Sequence, residues 1–223
     1  MVPPVTDDFQ TLEEMMAPER VAKLDAVLAQ RLQGITVLFE DVYKRQNVTA
    51  CIRTVEAFGL QDIHIIEGET RFEPNKAVSL GCEKWLDIHR HKTAADAVAR
   101  LRDRGYRVLA TSLDADLTID DVDFTEPACI CFGNELKGIS AELAGAADTT
   151  FRVPMFGHTQ SFNLSVSVGL IVAAATKARR EALGAPGDLP PERVSQLREL
   201  WVRRAKKGSA RILRALSTRG PNP

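Results

Sequence analysis

Residues 153–165 read Val153-Pro-Met-Phe-Gly157-His-Thr-Gln-Ser161-Phe-Asn163-Leu-Ser165. The three residues that lead in, Phe151-Arg-Val153, have the pattern of a short strand closed by Pro154. The apolar stretch that follows, from about Ser161 to Arg180, has the spacing of a long buried helix. The segment is therefore a strand-to-helix turn in which proline, glycine, hydroxyl and amide side chains are concentrated. Ser161 and Asn163 are also residue types that cap helix N-termini, so either role is open from this stretch alone.

The same pattern occurs twice upstream. Ala128–Phe132 is an apolar strand, and it runs into Cys131-Phe-Gly133-Asn-Glu135-Leu-Lys-Gly138-Ile-Ser140, which opens a helix at Ser140–Ala144. Ile35–Phe39 is a strand followed by Asn47-Val-Thr-Ala-Cys-Ile-Arg53-Thr-Val-Glu-Ala-Phe-Gly59, a helix stopped by glycine. Further strands are expected at Ile63–Ile66 and Val108–Thr111, with a helix at Ala94–Arg104. Val78–Trp85 reads as a short helical piece, with Trp85–Ile88 as another possible strand. Strands alternate with helices throughout, so the expected class is α/β with a mostly parallel sheet.

The ends differ from this middle. Residues 1–33 read as a loose acidic arm followed by a helix from Pro18 to Leu32, and 34–183 as the main domain. The Gly/Pro-rich stretch 184–191 reads as a hinge, and 184–223 as a basic extension, helical to about Leu216. The chain has 29 Lys/Arg against 30 Asp/Glu, a formal charge of −1. Its last 33 residues hold nine Lys/Arg against two glutamates, a local +7. Such a run is either a solvated helix face or a phosphate-binding surface.

Composition excludes several classes. With 223 residues, 44% hydrophobic and 26% charged, the chain suits one soluble domain with extensions. No apolar run reaches the roughly 20 residues of a membrane helix, and the acidic start does not resemble a secretory leader. Cys51, Cys82, Cys129 and Cys131 are too few and too scattered for a disulfide framework, so they read as buried thiols in a cytoplasmic protein. No metal site is expected, because no CxxC or histidine pair completes one. His64, His89, His91 and His158 form no nucleophilic constellation and read as structural or surface residues. The dinucleotide glycine fingerprint, the P-loop and the metalloprotease motif are all missing.

Together the three polar turns resemble the motifs of the TrmH family of the SPOUT superfamily, which are RNA ribose 2′-O-methyltransferases. VPMFGHTQSFNLS stands where the family has IPMxGxxxSLNVS. CFGNELKGIS matches FGxExxGxS, and the run from Asn47 matches NxxAxxRTxxAxG. The order and spacing are family-like over about residues 18–183. The lead-in ERVAKLDAVLAQRLQGITVLFEDVYKRQN and the basic tail look most like the branch that modifies the D-loop guanosine at tRNA position 18.

That resemblance implies a SPOUT-type parallel sheet with a C-terminal trefoil knot, flanked by helical extensions. It also implies S-adenosylmethionine as cofactor, tRNA as partner, and a homodimer joined through the helix after Ser161. Arg53 is the implied catalytic arginine. Because a guanidinium is effectively always protonated, it suits stabilising the attacking 2′-oxygen better than acting as a base. Asn47 is implied at the active site, although alone it reads as an N-cap. Glu135 is implied to anchor Arg53 or substrate, and Ser161 and Asn163 to face cofactor and ribose. Thr111, Gly133, Val153, Gly157 and Phe162 fall at the family's cofactor contacts. Arg20, Arg31, Arg203, Arg204, Lys206, Lys207 and Arg211 are the expected RNA contacts, while Trp201 reads as docking the tail helix.

Three features depart from the family pattern. Tyr43-Lys-Arg-Gln-Asn47 lacks the proline of HxPxN, Phe162 replaces a leucine, and the first helix has only Arg20, Lys23 and Arg31 as basic residues. Two other readings remain: a ribosomal-RNA or anticodon-loop 2′-O-methyltransferase, and an RNA-binding protein that kept the fold without turnover.

Overall fold

Every residue of Ile35-Thr-Val-Leu-Phe-Glu40, strand β1, is buried. A strand with no solvent face belongs in the middle of a sheet covered on both sides, and β1 lies between two parallel neighbours. The computed structural model describes residues 12–42, 45–67 and 79–205. The other strands are β2 (Asp62–Ile66), β3 (Asp87–His91), β4 (Arg107–Thr111), β5 (Leu117–Thr118), β6 (Ala128–Phe132) and β7 (Thr149–Arg152). Among the described residues they form one all-parallel sheet in the order β3-β2-β1-β6-β4-β7-β5. The helices are α1 (Pro18–Leu28), α2 (Arg45–Ala57), α3 (Ala94–Asp103), α4 (Ala141–Ala146), α5 (Leu164–Leu183) and α6 (Pro191–Ala205).

The pleat divides the core into two layers. Ile35, Val37 and Phe39 join Ile63, Ile65, Ile130 and Phe132 against Cys51, Ile52 and Val55 of α2 and Val168, Ile171 and Val172 of α5. On the other face Leu38, Val108, Ala110, Cys129 and Cys131 meet Ala97, Val98 and Leu101 of α3 and Leu143 of α4. The two cysteines of the Cys129-Ile-Cys131 run therefore share one face, as strand alternation requires, and both thiols are free. No helix among the described residues is long and apolar enough to cross a membrane.

The chain divides into two compact units: residues 1–31 with 189–223, and residues 32–188. Of the N-terminal arm and helix and the basic C-terminal extension expected from the sequence, the described parts 12–31 and 189–205 fall in one unit. Within it Arg198 donates to both carboxylate oxygens of Glu13 at 2.7 Å and to Asp25 at 2.7 Å. These bonds raise the Arg198 pKa and, against the opposing effect of burial, lower that of Glu13. Trp201 is buried in the same unit, with the Arg31 guanidinium 5.0 Å above its ring, so it docks the helix.

Several boundaries differ from the sequence expectation for local reasons. The first helix stops at Leu28 rather than Leu32, because Leu32 exchanges backbone bonds with Gly59 and Gln61 in a parallel bridge to Leu60. Trp85 ends a 3-10 turn (Cys82–Trp85), and the strand expected there begins at Asp87. Helix α5 starts at Leu164 because Asn163 caps it. The tail helix is described to Ala205, and its expected continuation to Leu216 lies outside the described residues.

Candidate functional site

The strand order changes direction between β1 and β6, since β2 and β3 lie to one side and β4, β7 and β5 to the other. In an open parallel sheet, ligands bind at the carboxyl ends of strands where the order reverses. All three polar turns leave from that edge: the β1–α2 turn, the β6–α4 turn, and the long β7–α5 connection.

At this reversal Asn47 donates from Nδ2 to Glu135 Oε1 at 2.6 Å, joining turns 88 residues apart. Asn47 is not an N-cap. Helix α2 begins at Arg45, leaving Asn47 in the first turn with its side chain turned to the neighbouring loop. Arg45 occupies the first helical position, which proline also favours, so the missing family proline leaves the helix start where a proline would put it. The Glu135 charge is also felt by Cys51 of α2, whose thiol is pushed up to about 12, mainly by burial.

Arg53 is exposed and, among the described residues, takes no hydrogen bond or ion pair. Glu135, which the resemblance sets against Arg53 or the substrate, has one carboxylate oxygen bonded to Asn47. The six-residue step from Asn47 turns Arg53 well away from it around the helix axis. The arginine lies beside the Cys82 turn, where its charge pulls the Cys82 thiol down. Burial together with Glu56 and Glu83 prevails and leaves that thiol at about 11.

The β6 turn is a tightly closed loop. Asn134 and Gly138 exchange both backbone bonds, at 2.9 and 2.8 Å. A Cβ on Gly133 would fall 2.2 Å from the Gly138 carbonyl carbon and the Ile139 nitrogen, so only glycine lets the loop close. At the end of β4, Thr111 donates its hydroxyl to the Cys131 carbonyl at 2.9 Å. In the third turn, Asn163 Oδ1 accepts from the amide and hydroxyl of Ser165 at 2.9 and 2.8 Å and caps α5. Ser161 and Gly157 are exposed, and Val153 is half-buried. Thr111, Gly133, Val153, Gly157 and Phe162 thus all lie on β4, β6 and β7, which are sheet neighbours, or on the turns that follow them.

These turns also expose Leu113, Leu136, Phe156 and Phe162, with Phe156 99% accessible. Apolar side chains of that size beside a backbone-rich loop suit a flat, uncharged nucleoside such as the adenosine of S-adenosylmethionine.

The expected RNA contacts fare unevenly. Arg20 and Arg204 are exposed, and Arg20 donates to the Ala205 carbonyl at 2.8 Å. Arg203 is half-buried and bonded to Glu199 at 2.6 Å. Arg31 is 1% exposed beneath Trp201, which corrects its reading as an RNA contact: the guanidinium serves the helix packing. Lys206, Lys207 and Arg211 lie outside the described residues.

Three of the histidines stack away from this site, at the β2–β3 edge. His64 shares a 2.9 Å hydrogen bond with His91, whose other nitrogen meets Asp96 at 3.3 Å, and His89 contacts Asp62 at 2.5 Å. The sequence did not suggest that these side chains meet. Two residues bonded to these turns drew no notice in the sequence, Glu40 and Asn134. A charge closing an apolar strand, and an asparagine four residues before a glycine, are the available signals.

A family model described as SpoU rRNA Methylase family matches residues 34–173, which span the sheet and all three turns. The chain belongs to this family. Among relatives of this SpoU protein, the tRNA (guanosine(18)-2′-O)-methyltransferase of Borreliella burgdorferi is 38% identical over 162 residues, 72% of this chain and 74% of that protein. The Thermus thermophilus enzyme of the same description is 33% identical over 187 residues, covering 83% and 96%. The crystal structure of the Aquifex aeolicus TrmH/SpoU tRNA modifying enzyme superposes with a TM-score of 0.77 at 28% identity, over 87% of this chain and 98% of that one. An AdoMet-bound rRNA methyltransferase from Sinorhizobium meliloti matches at a TM-score of 0.59 and 27% identity, over 69% and 59%.

Proposed function

We infer that this protein transfers a methyl group from S-adenosylmethionine to the ribose 2′-oxygen of guanosine 18 in tRNA. The observation that carries this reading is the convergence of three family turns on one sheet edge, in a chain that matches tRNA (guanosine(18)-2′-O)-methyltransferases over most of its length. The substrate placement also accords with a terminal unit that has exposed basic residues. The enzyme acts where tRNA is, in the cytoplasm.

S-adenosylmethionine, when bound, supplies an electrophilic methyl on a sulfonium sulfur. The loops after β4, β6 and β7 would hold it through backbone groups around Gly133 and Gly157 and through apolar contact with Val153 and Phe162, with Thr111 fixing the loop spacing through its bond to the Cys131 carbonyl. A C-terminal trefoil knot in the segment that includes 153–163 belongs to this reading. Arg53 keeps its proton and places positive charge where the 2′-oxygen gathers negative charge during attack. Glu135 and Asn47 hold each other and set the floor on which the ribose is placed. Ser161 and Asn163 orient the ribose from the opening of α5.

With Arg53 exposed on α2, a second copy of the chain completes the site. Helix α5 carries the surface for it in Val166 and Leu170, four residues apart and each at least 44% exposed. An apolar stripe at this spacing is suited to a like helix. Leu170→Asp should give a monomer by light scattering and abolish turnover. A dimeric, active variant would remove α5 from the interface.

The test of the reaction is labelled methyl transfer to an unmodified tRNA transcript, with the modified nucleotide mapped by mass spectrometry. A label confined to the ribose of guanosine 18 supports the reading. Label on ribosomal RNA or the anticodon loop alone would move the substrate.

A further inference from the structure

The loop that carries Glu135 is tied at both ends to the last two residues around β1. Glu40, the final residue of that strand, is buried although charged. Its Oε2 accepts from the Ser140 amide and its Oε1 from the Ser140 hydroxyl, both at 2.7 Å. The Ser140 oxygen in turn accepts from Leu143 at 3.0 Å and caps α4. At the other end of the loop, Asn134 donates from Nδ2 to the Asp41 carbonyl at 2.7 Å. Its Oδ1 accepts from Leu136 and Lys137 at 2.9 and 3.2 Å, closing a turn around Glu135. Asp41, the acceptor, has φ +43°, a left-handed conformation uncommon for a non-glycine residue, which aims its carbonyl at this loop.

We propose that Glu40 and Asn134 are positioning residues of the methyl transfer: they clamp the two ends of the 133–140 loop to the end of β1 and so hold the Glu135 carboxylate on Asn47. The physical need is clear from the rest of the loop. Leu136 at its tip is 83% exposed, so packing holds the segment at Ile139 and not at the tip beside Glu135. A misplacement of about 1 Å at a reacting group can cost 10²-fold in rate. The clamp touches neither ribose nor cofactor and acts through Glu135. This inference rests on the reading of Glu135 as part of the catalytic site.

The experiment compares Asn134→Ala, Glu40→Ala, Glu135→Ala and the two double variants with wild type. Each is assayed as the full chain, with kcat and both KM values for methyl transfer to tRNA, alongside thermal melts. Glu40→Gln and Asn134→Asp serve if either alanine variant fails to fold. Glutamine keeps an acceptor for Ser140, and aspartate keeps the turn around Glu135 but loses the donor to Asp41. The expected result is a fall in kcat of about 10-fold or more for each alanine variant, with KM values within about threefold, partial rescue by Glu40→Gln, and none by Asn134→Asp, which lacks the donor to Asp41. In the Glu135→Ala background the same changes should cost no further kcat, because the clamp then has nothing to position. Equal fractional losses with and without Glu135, or unchanged kcat in the single variants, would overturn the clamp alone. Wild-type kcat in Glu135→Ala would overturn the catalytic reading of Glu135 and the clamp with it.

Discussion

Lowering the pH from 7 to 5 should destabilise this protein through His64. The ring is 1% exposed on β2, stacked between His89 and His91 at 4.7 and 5.2 Å. Its Nδ1 shares the bond to His91 Nε2, and its Nε2 is buried with no partner among the described residues. The groups facing it are His89, His91, Asp62 and Arg104. Burial first, and then the histidine and arginine charges, lower its pKa to about 3, against the smaller opposing pull of Asp62. A base whose pKa is depressed by folding takes up its proton more readily when unfolded, so stability falls as pH drops below the unfolded value near 6.5. At 1.36 kcal/mol per unit, the loss between pH 7 and pH 5 is about 2 kcal/mol for this one group. For a chain of this size that is about 4–8 °C in Tm. His91, also depressed by burial in spite of its bond to Asp96, adds in the same direction. The carboxylates of Asp62 and Asp96 are held below their ordinary range, so their contribution is lost only at lower pH. Calorimetric melts at the two pH values, repeated for His64→Leu, are the assay. The variant should lose much of the pH dependence, and a slope equal to that of wild type would refute the reasoning.

Other predictions concern the site and the terminal unit. Arg53→Ala should reduce kcat by about 10²–10³-fold while leaving the melt unchanged, since the side chain is exposed; steady-state transfer with a parallel melt checks both. Gly133→Ala should abolish cofactor binding measured by calorimetry, because the new methyl group meets backbone that must shift for the loop to close. Arg198→Ala should weaken the terminal unit by about 1–3 kcal/mol, the range for a charged hydrogen-bonding group, with the solvent-facing share of its bonds lowering the value. Hydrogen exchange should then rise in Pro18–Leu28 and Pro191–Ala205 before it rises in the sheet.

The middle of the parallel sheet was legible because β1 and β6 are buried on both faces and appear as largely apolar runs, such as Ala128–Phe132. The two-residue β5 has too little pattern to be seen, and its existence depends on β7 beside it. The turns were legible as motifs, but not the side-chain pairings within them. Asn47 meets Glu135 only once β1 and β6 lie side by side, a contact that depends on strand order rather than on either turn. The same holds for Arg198 and Glu13, 185 residues apart, and for the histidine stack on β2 and β3. Arg31 was misread because an arginine in a helical segment looks solvated, and its burial depends on Trp201 arriving from the far end of the chain.

The most direct test of the central claim is methyl transfer to two tRNAs that differ only at the 2′ position of guanosine 18, one with ribose and one with 2′-deoxyribose. Transfer to the first and none to the second is the predicted result. Equal labelling of both would place the methyl elsewhere and contradict it.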